Sequence, residues 1–307
     1  MTVHLISVGR SLLDAFTKPR DRFGDLHPII SRYKPQSILS DVGTDKAAVS
    51  DRLAIWFGTG GHLPTKEADL INAVEAHRWP VQVCAEMETF HRVNGGPHVA
   101  ADDSVVLLAT DTIAGLCSGL WTAVGLVGGA AERIRYVDDP AWFTPAPGVT
   151  IVRVPYLDAS RESDFAKAMA GLGTLGRALL PGEFGPPEEF HFHLSGGFKA
   201  AIPYLIGLAE GLRSFPPAQV SAVKAHVLHD TSEKVLRLPL RRLNRDAVQK
   251  ELAGFAPDGS RRGLPNPRSM DGYAYDADDS TRRAQLTPFG VGLRTLMGIP
   301  AEPIGRG

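Results

Sequence analysis

An α/β fold built on a mostly parallel sheet with helices on both faces is what the sequence predicts, and three stretches predict it. Val3–Val8 is an apolar run that stops at Gly9 and passes into Arg10-Ser11-Leu12-Leu13, which has helical character. Ser104–Thr110, SVVLLAT, reads as a buried strand running through Asp111-Thr112 into a helix from Ile113 to Leu126. Phe190–Leu212 begins as a short buried strand and continues as an amphipathic helix, with Ser195-Gly196-Gly197 as the turn between them. Strands that alternate with helices and carry nearly continuous apolar runs belong to parallel sheets buried on both sides.

Between these stretches the chain supplies the remaining layers. Pro19, Pro28 and Pro35 break residues 17–46 into an irregular excursion. Asp45–Phe57 has helical spacing at Ala48, Leu53, Ile55 and Trp56, ended by Gly58–Gly61. A second helix is expected from Leu63 to Ala76, with Thr65 as N-cap and Glu67 and Asp69 near its positive end. Val81–Ala85 reads as a short strand and Asn94–Asp103 as a loop. The Gly- and Ala-rich helix after Thr112 suits close packing on a sheet. Ile134–Val137 and Val149–Val154 are strand candidates, and Asp164–Leu180 is a helix. Ala222–Leu228 and Val235–Leu240 read as two strands joined by the polar turn 229–234. After residue 243 the character changes to Pro and Gly clusters and the arginine pairs Arg261-Arg262 and Arg282-Arg283, which read as solvated. One helix signal remains there, Thr287 as N-cap and Pro288 at the first helical position before Phe289–Met297. The expected division is therefore 1–243, a ligand-binding domain, and 244–307, a small appended unit or arm.

Composition bounds the function. A chain of 307 residues that is 43% hydrophobic can bury one large core or two modest ones. A formal net charge of -1 provides no global basic field of the kind that draws long nucleic acids. Cys84 and Cys117 are too few for a disulfide framework and read as core residues in a reducing compartment. The opening MTVHLISVGR lacks the charged start and long apolar stretch of a signal peptide, and no apolar run approaches the ~18 residues of a membrane span. A soluble cytoplasmic protein is expected.

In a parallel sheet all strand ends point the same way, so three turns converge at one edge: Ser11 after the first strand, Asp111-Thr112 after the second stretch, and Ser195 with Lys199 after the third. Ser and Thr at such turns also serve as ordinary helix caps. His191 and His193 share one strand face, as some metal sites begin, but they lack an accompanying carboxylate and histidine set and read as buried. No side chain stands out as a general base.

On five ordered pieces the sequence resembles the CRISPR-associated Rossmann fold (CARF) family, and within it the stand-alone ring nucleases. The pieces are SVGRSLL at Ser7–Leu13, LPTKEADLI at Leu63–Ile71, LLATDT at Leu107–Thr112, LSGGFKAAIPYL at Leu194–Leu205 and LRLPL at Leu236–Leu240, spanning most of residues 1–243. The resemblance implies a homodimer that binds cyclic tetra-adenylate, the second messenger of type III CRISPR systems, across its two-fold axis and slowly cleaves it without a metal or other cofactor. It implies Ser11 and Lys199 as the residues that act, with Gly9, Arg10, Leu12, Thr110, Asp111, Thr112, Ser195, Gly196, Gly197 and Phe198 lining the ligand. Arg10 stands where the family has a small residue, and Ser195 where it more often has Thr. The alternative implied by the same family is a non-catalytic sensor, whose C-terminal unit acts as a winged-helix-like DNA reader. The loose Arg92 and His98 spacing of CARF-linked HEPN ribonucleases flanks a loop, and the C-terminal remainder is too short for a helical HEPN domain.

Overall fold

The computed structural model describes residues 1–17, 39, 42, 45–58, 84–158, 162–181, 188–197, 199–228 and 234–302. The helix expected at Leu63–Ala76, and with it the LPTKEADLI piece, lies outside the described residues, as do most of the strand expected at Val81–Ala85 and the turn at 229–233.

The first half of the chain gives β1 (Thr2–Ser7), α1 (Ser11–Thr17), α2 (Lys46–Phe57), α3 (Ala85–Asn94), β2 (Ser104–Ala109), α4 (Ile113–Val127), β3 (Ile134–Val137) and β4 (Gly148–Arg153). Then come α5 (Glu162–Ala178), β5 (Glu188–His193), α6 (Ile202–Arg213), β6 (Val220–Val227) and β7 (Leu236–Leu238). Seven strands form one sheet in the order β3-β4-β2-β1-β5-β6-β7. Every neighbouring pair is parallel except β6 and β7, which pair antiparallel. This is the predicted α/β class with a mostly parallel sheet.

Side chains alternate across the sheet with a period of two, and each face has its own core. Val3, Leu5, Val106, Leu108, Phe190 and Phe192 point to the face covered by α5 and α6. Ile6, Val8, Val105, Leu107 and Ile151 point to the face covered by α1 to α4. The small residues of α4 do let it lie close: a Cβ on Gly119 would stand 3.1 Å from Ile151 Cγ2.

Ala85 does not end a strand; it opens α3. Acidic residues in the first turn (Glu86, Glu88), basic ones in the last (His91, Arg92) and Gly95 in the left-handed region as C-cap are what make it a helix. Arg92 lies in the last turn of this helix, beside Glu88, and flanks the loop that begins at Gly95.

Residues after 243 contain more structure than their composition suggests: α7 (Arg245–Leu252), a three-stranded antiparallel sheet of β8 (Ser260–Arg262), β10 (Arg283–Leu286) and β9 (Tyr275–Asp278), and the expected α8 (Pro288–Met297), capped by Thr287. These strands are short and charged, so they carry little apolar period to read. The segment shares the first core through Val248, Leu252, Phe289, Leu293 and Leu296. Helix α8 seats against glycines of α5 and α6, where a Cβ on Gly207 would lie 2.1 Å from the Phe289 ring. One buried carboxylate clips the segment to α6 and a second ties the segment together internally. Glu210 of α6 accepts from Arg241 and from Tyr273 Oη at 2.7 Å; Glu251 accepts from Met270 N at 2.9 Å and Tyr275 Oη at 2.8 Å. Arg261 is tied to the Glu251 and Ala253 carbonyls and is not simply solvated, whereas Arg262, Arg282 and Arg283 are exposed.

The path of the chain decides where a ligand can sit. From β1 it moves outward to β2 and the β3 edge, returns to β4, and then crosses to β5 on the other side of β1. The direction of winding reverses between β1 and β5, and the helices on either side of the reversal cover opposite faces. In open α/β sheets the crevice outside the carboxyl ends of two such strands is where ligands bind.

Candidate active site at the tips of β1 and β5

The turns after β1 and β5 touch. A Cβ on Gly9 would lie 2.7 Å from Gly197 N, and one on Gly197 would lie 1.9 Å from Ser7 Oγ, so side chains at either position would push the turns apart. Gly197 also holds φ at 94°, a region that L side chains rarely adopt. Ser11, the first residue of α1, is exposed. On the facing turn Lys199 opens the 3₁₀ turn Lys199–Ala201 that leads into α6, and it is exposed too. The hydroxyl and the ammonium singled out from the sequence therefore stand on the two turns that meet at the reversal.

Glu86 is a carboxylate at these turns that the sequence did not reveal. It is only 2% exposed, and its carboxylate reaches from α3 to the turn after β1. Oε1 accepts from Gly9 N at 2.9 Å and Oε2 accepts from Ser11 Oγ at 2.7 Å. Gly196 lies against the same group, since a Cβ there would stand 2.2 Å from the carboxylate carbon. The Gly9 N–H is thus already taken and is not open to a phosphate. The Ser11 hydroxyl likewise donates to a carboxylate that the sequence did not bring to this turn. Cys84, the N-cap of α3, is fully buried; burial, and then the neighbouring Glu86 charge, push its thiol far above the ordinary range.

Other predicted ligand residues have structural partners. Ser195 Oγ lies 2.7 Å from Thr89 Oγ1 of α3 and accepts from Leu228 N at 2.7 Å, so it ties β5 to α3 and to the end of β6. The Leu12 side chain is wholly buried in the second core and does not face the crevice. Arg10 is exposed and sits 3.9 Å from Asp14. Phe198 lies outside the described residues.

The tip of β2 is a different kind of place. Thr112 caps α4 by accepting from Gly115 N at 3.0 Å, and its hydroxyl lies 3.0 Å from Thr110 Oγ1, as ordinary capping predicts. Asp111 is 3% exposed and accepts from Arg153 Nε at 2.8 Å, Lys46 Nζ at 2.9 Å and Tyr156 N at 2.9 Å. Burial works against its ionisation, but the Tyr156 N–H and the two cations outweigh it and hold the carboxyl below its ordinary value. Asp111 is therefore bound to its own chain and is closed to a ligand.

Beneath α3, on the second face, lie four histidines of neighbouring strands: His4, His191, His193 and His226. His4 Nδ1 is 3.0 Å from His193 Nε2, and His226 Nε2 is 3.1 Å from His191 Nδ1. Phe90 of α3 rests edge-on against the His4 ring at 5.0 Å. Burial and mutual repulsion hold His4 and His226 down to about 4 and His193 well below its usual value, so the cluster is neutral near pH 7. Among the described residues, no group of three or more His, Cys, Asp or Glu side chains is arranged to hold a metal ion. His193 is buried, and His191 is partly buried with its Nε2 2.9 Å from Glu189 Oε1; both belong to the floor on which α3 rests. Among the described residues no helix is long and apolar enough to cross a membrane.

Compared with protein-family models and with curated proteins, the chain matches none.

Proposed function

We propose that this chain is a metal-independent ring nuclease, a two-fold dimer that binds cyclic tetra-adenylate and opens it to linear adenylates ending in 2′,3′-cyclic phosphate. Such a reaction ends the signal of a type III CRISPR system. The observation that carries the reading is the meeting of the Ser11 and Lys199 turns at the β1/β5 reversal, where α/β sheets take their ligands. A ribose 2′-oxygen attacking its own 3′-phosphate needs in-line geometry and a counter-charge for the equatorial oxygens. Lys199 supplies the charge and the crevice fixes the geometry. A cyclic ligand of repeating units is most simply met by an isologous site across a two-fold axis.

The test is incubation of the purified protein with labelled cyclic tetra- and hexa-adenylate in EDTA. Linear products with cyclic phosphate ends are expected, and a dimer by light scattering. Tight binding with the ring left intact would replace the enzyme by a sensor; no binding to either ring would remove both.

A further inference from the structure

We infer that Glu86 is the proton acceptor behind Ser11, so that Ser11 works as a relay and not only as an orienting hydroxyl. The inference rests on the ring-opening reading above and adds a group to it. Glu86 is held from both sides: Oε1 is fixed by Gly9 N–H, Oε2 by the Ser11 hydroxyl, and Gly196 closes over the carboxylate carbon. At 2% exposure it cannot exchange these partners for water without moving α3. Gly9 N–H alone would satisfy a carboxylate that merely braced the turn. The second oxygen is spent on the exposed hydroxyl beside the β1/β5 crevice.

The direction of that bond decides what Ser11 can do. A serine has one O–H to donate and two lone pairs with which to accept. With its hydrogen committed to Glu86 Oε2, Ser11 Oγ presents lone pairs to the crevice. It is then a poor donor to a phosphate oxygen and a good acceptor of a ribose hydroxyl proton. In the ring-opening step the 2′-hydroxyl gives its proton to Ser11 Oγ while the Ser11 proton passes to Glu86 Oε2. The bond from the 2′-oxygen to phosphorus forms as the bond from phosphorus to the 5′-oxygen breaks. The departing 5′-oxygen takes a proton from water, and the proton on Glu86 returns through Ser11 Oγ to the resulting hydroxide. Glu86 never touches the ring; it is a positioning residue acting through Ser11.

The test uses the full chain and compares wild type, Glu86→Gln, Ser11→Ala and the double variant, by single-turnover opening of cyclic tetra-adenylate, ring affinity and pH–rate profile. Glu86→Gln keeps the size of the side chain and one acceptor oxygen but removes its basicity. Its rate should fall by about 10²- to 10⁴-fold, the range for a lost general base, with affinity little changed. The decline in rate toward acid pH should vanish with it, and it should add little in the Ser11→Ala background. Glu86→Asp, which keeps a carboxylate, should restore the acid decline and part of the rate, and it serves as the test if Glu86→Gln fails to fold. An undiminished rate in Glu86→Gln overturns the inference, as does a faster rate with tighter binding, which would make the carboxylate an internal anion holding the crevice shut. A full additional loss in the Ser11→Ala background overturns it too. Wild-type protein that leaves the ring intact removes the ring-nuclease reading together with this one, whereas an active wild type with an equally active Glu86→Gln removes this one alone.

Discussion

Two polar tips lie side by side on the carboxyl edge of the sheet. At the tip of β2, Asp111 is buried and matched by Arg153 and Lys46, with a backbone N–H completing its shell. At the tips of β1 and β5, the exposed Ser11 bonds a buried carboxylate, Glu86, and the exposed Lys199 stands on the facing turn. Both places combine the same residue types, yet only the second leaves reactive groups facing outward. Charge in a turn therefore says little about function until its partners are counted. The β2 tip uses its charge to join β2, β4 and α2, whereas Lys199 at the β1/β5 tip is exposed.

Substitution at each tip is the most direct way to break this contrast. Of the substitutions that set the two tips against each other, Lys199→Ala should have the largest effect, lowering single-turnover ring opening by about 10²- to 10³-fold while weakening binding less, as loss of a preorganised electrostatic contact does. A wild-type rate in this variant would make the turn structural. Asp111→Ala should do the reverse: lose roughly 3 kcal/mol of stability, the scale for stripping one partner from a buried ion pair, and leave the rate per folded molecule alone. Thermal melting beside the cleavage assay separates the two, and a rate loss without a stability loss would place Asp111 in the site.

Acid should divide the two tips next. His4 and His226 are held down to about 4 in the fold, so the unfolded chain binds more protons than the folded one below the ordinary histidine value. Stability therefore falls as pH drops from about 6.5 toward 4, by on the order of 2 kcal/mol, and is lost first where α3 rests on the histidine floor. Asp111, held below its ordinary value, contributes stability that persists until pH falls through that lower folded value. Amide exchange should accordingly quicken in residues 85–94 before residues 46–57; the opposite order would break the comparison. The smallest effect belongs to Arg10→Ala. Its pair with Asp14 is 73% and 56% exposed, so stability should change by less than about 0.5 kcal/mol. A marked loss of ring affinity would instead bring Arg10 into the site.

Much of the scaffold was legible because its signals are local. The apolar runs of β1, β2 and β5, the glycine turns after two of them and the cap of α8 can each be read within a dozen residues, and they put Ser11 just after β1 and Lys199 on the turn after β5. Glu86 was not legible. It reaches Ser11 from 75 positions away, through the docking of a helix on the sheet, and the residues before it read as a strand. Its helix did carry a signal, acidic residues first, basic residues last and then Gly95, but nothing in that signal says which carboxylate faces the crevice. Asp111 was legible as a turn residue, while its closure was not. Arg153 reaches it only because β2 and β4 pair with Ala109 opposite Arg153.

The reversal between β1 and β5 has a consequence for how the molecule comes into being. Thr2 pairs with Glu189, so the first strand acquires its second neighbour only after most of the chain exists. Contacts so distant in sequence carry a large closure entropy and form slowly. A nascent chain can pair β1 with β2 and β2 with β4, but its Gly9 turn has no Gly197 to close against, and its His4 no His193, until β5 docks. The meeting of the two turns, and any chemistry that depends on it, is thus a late product of folding.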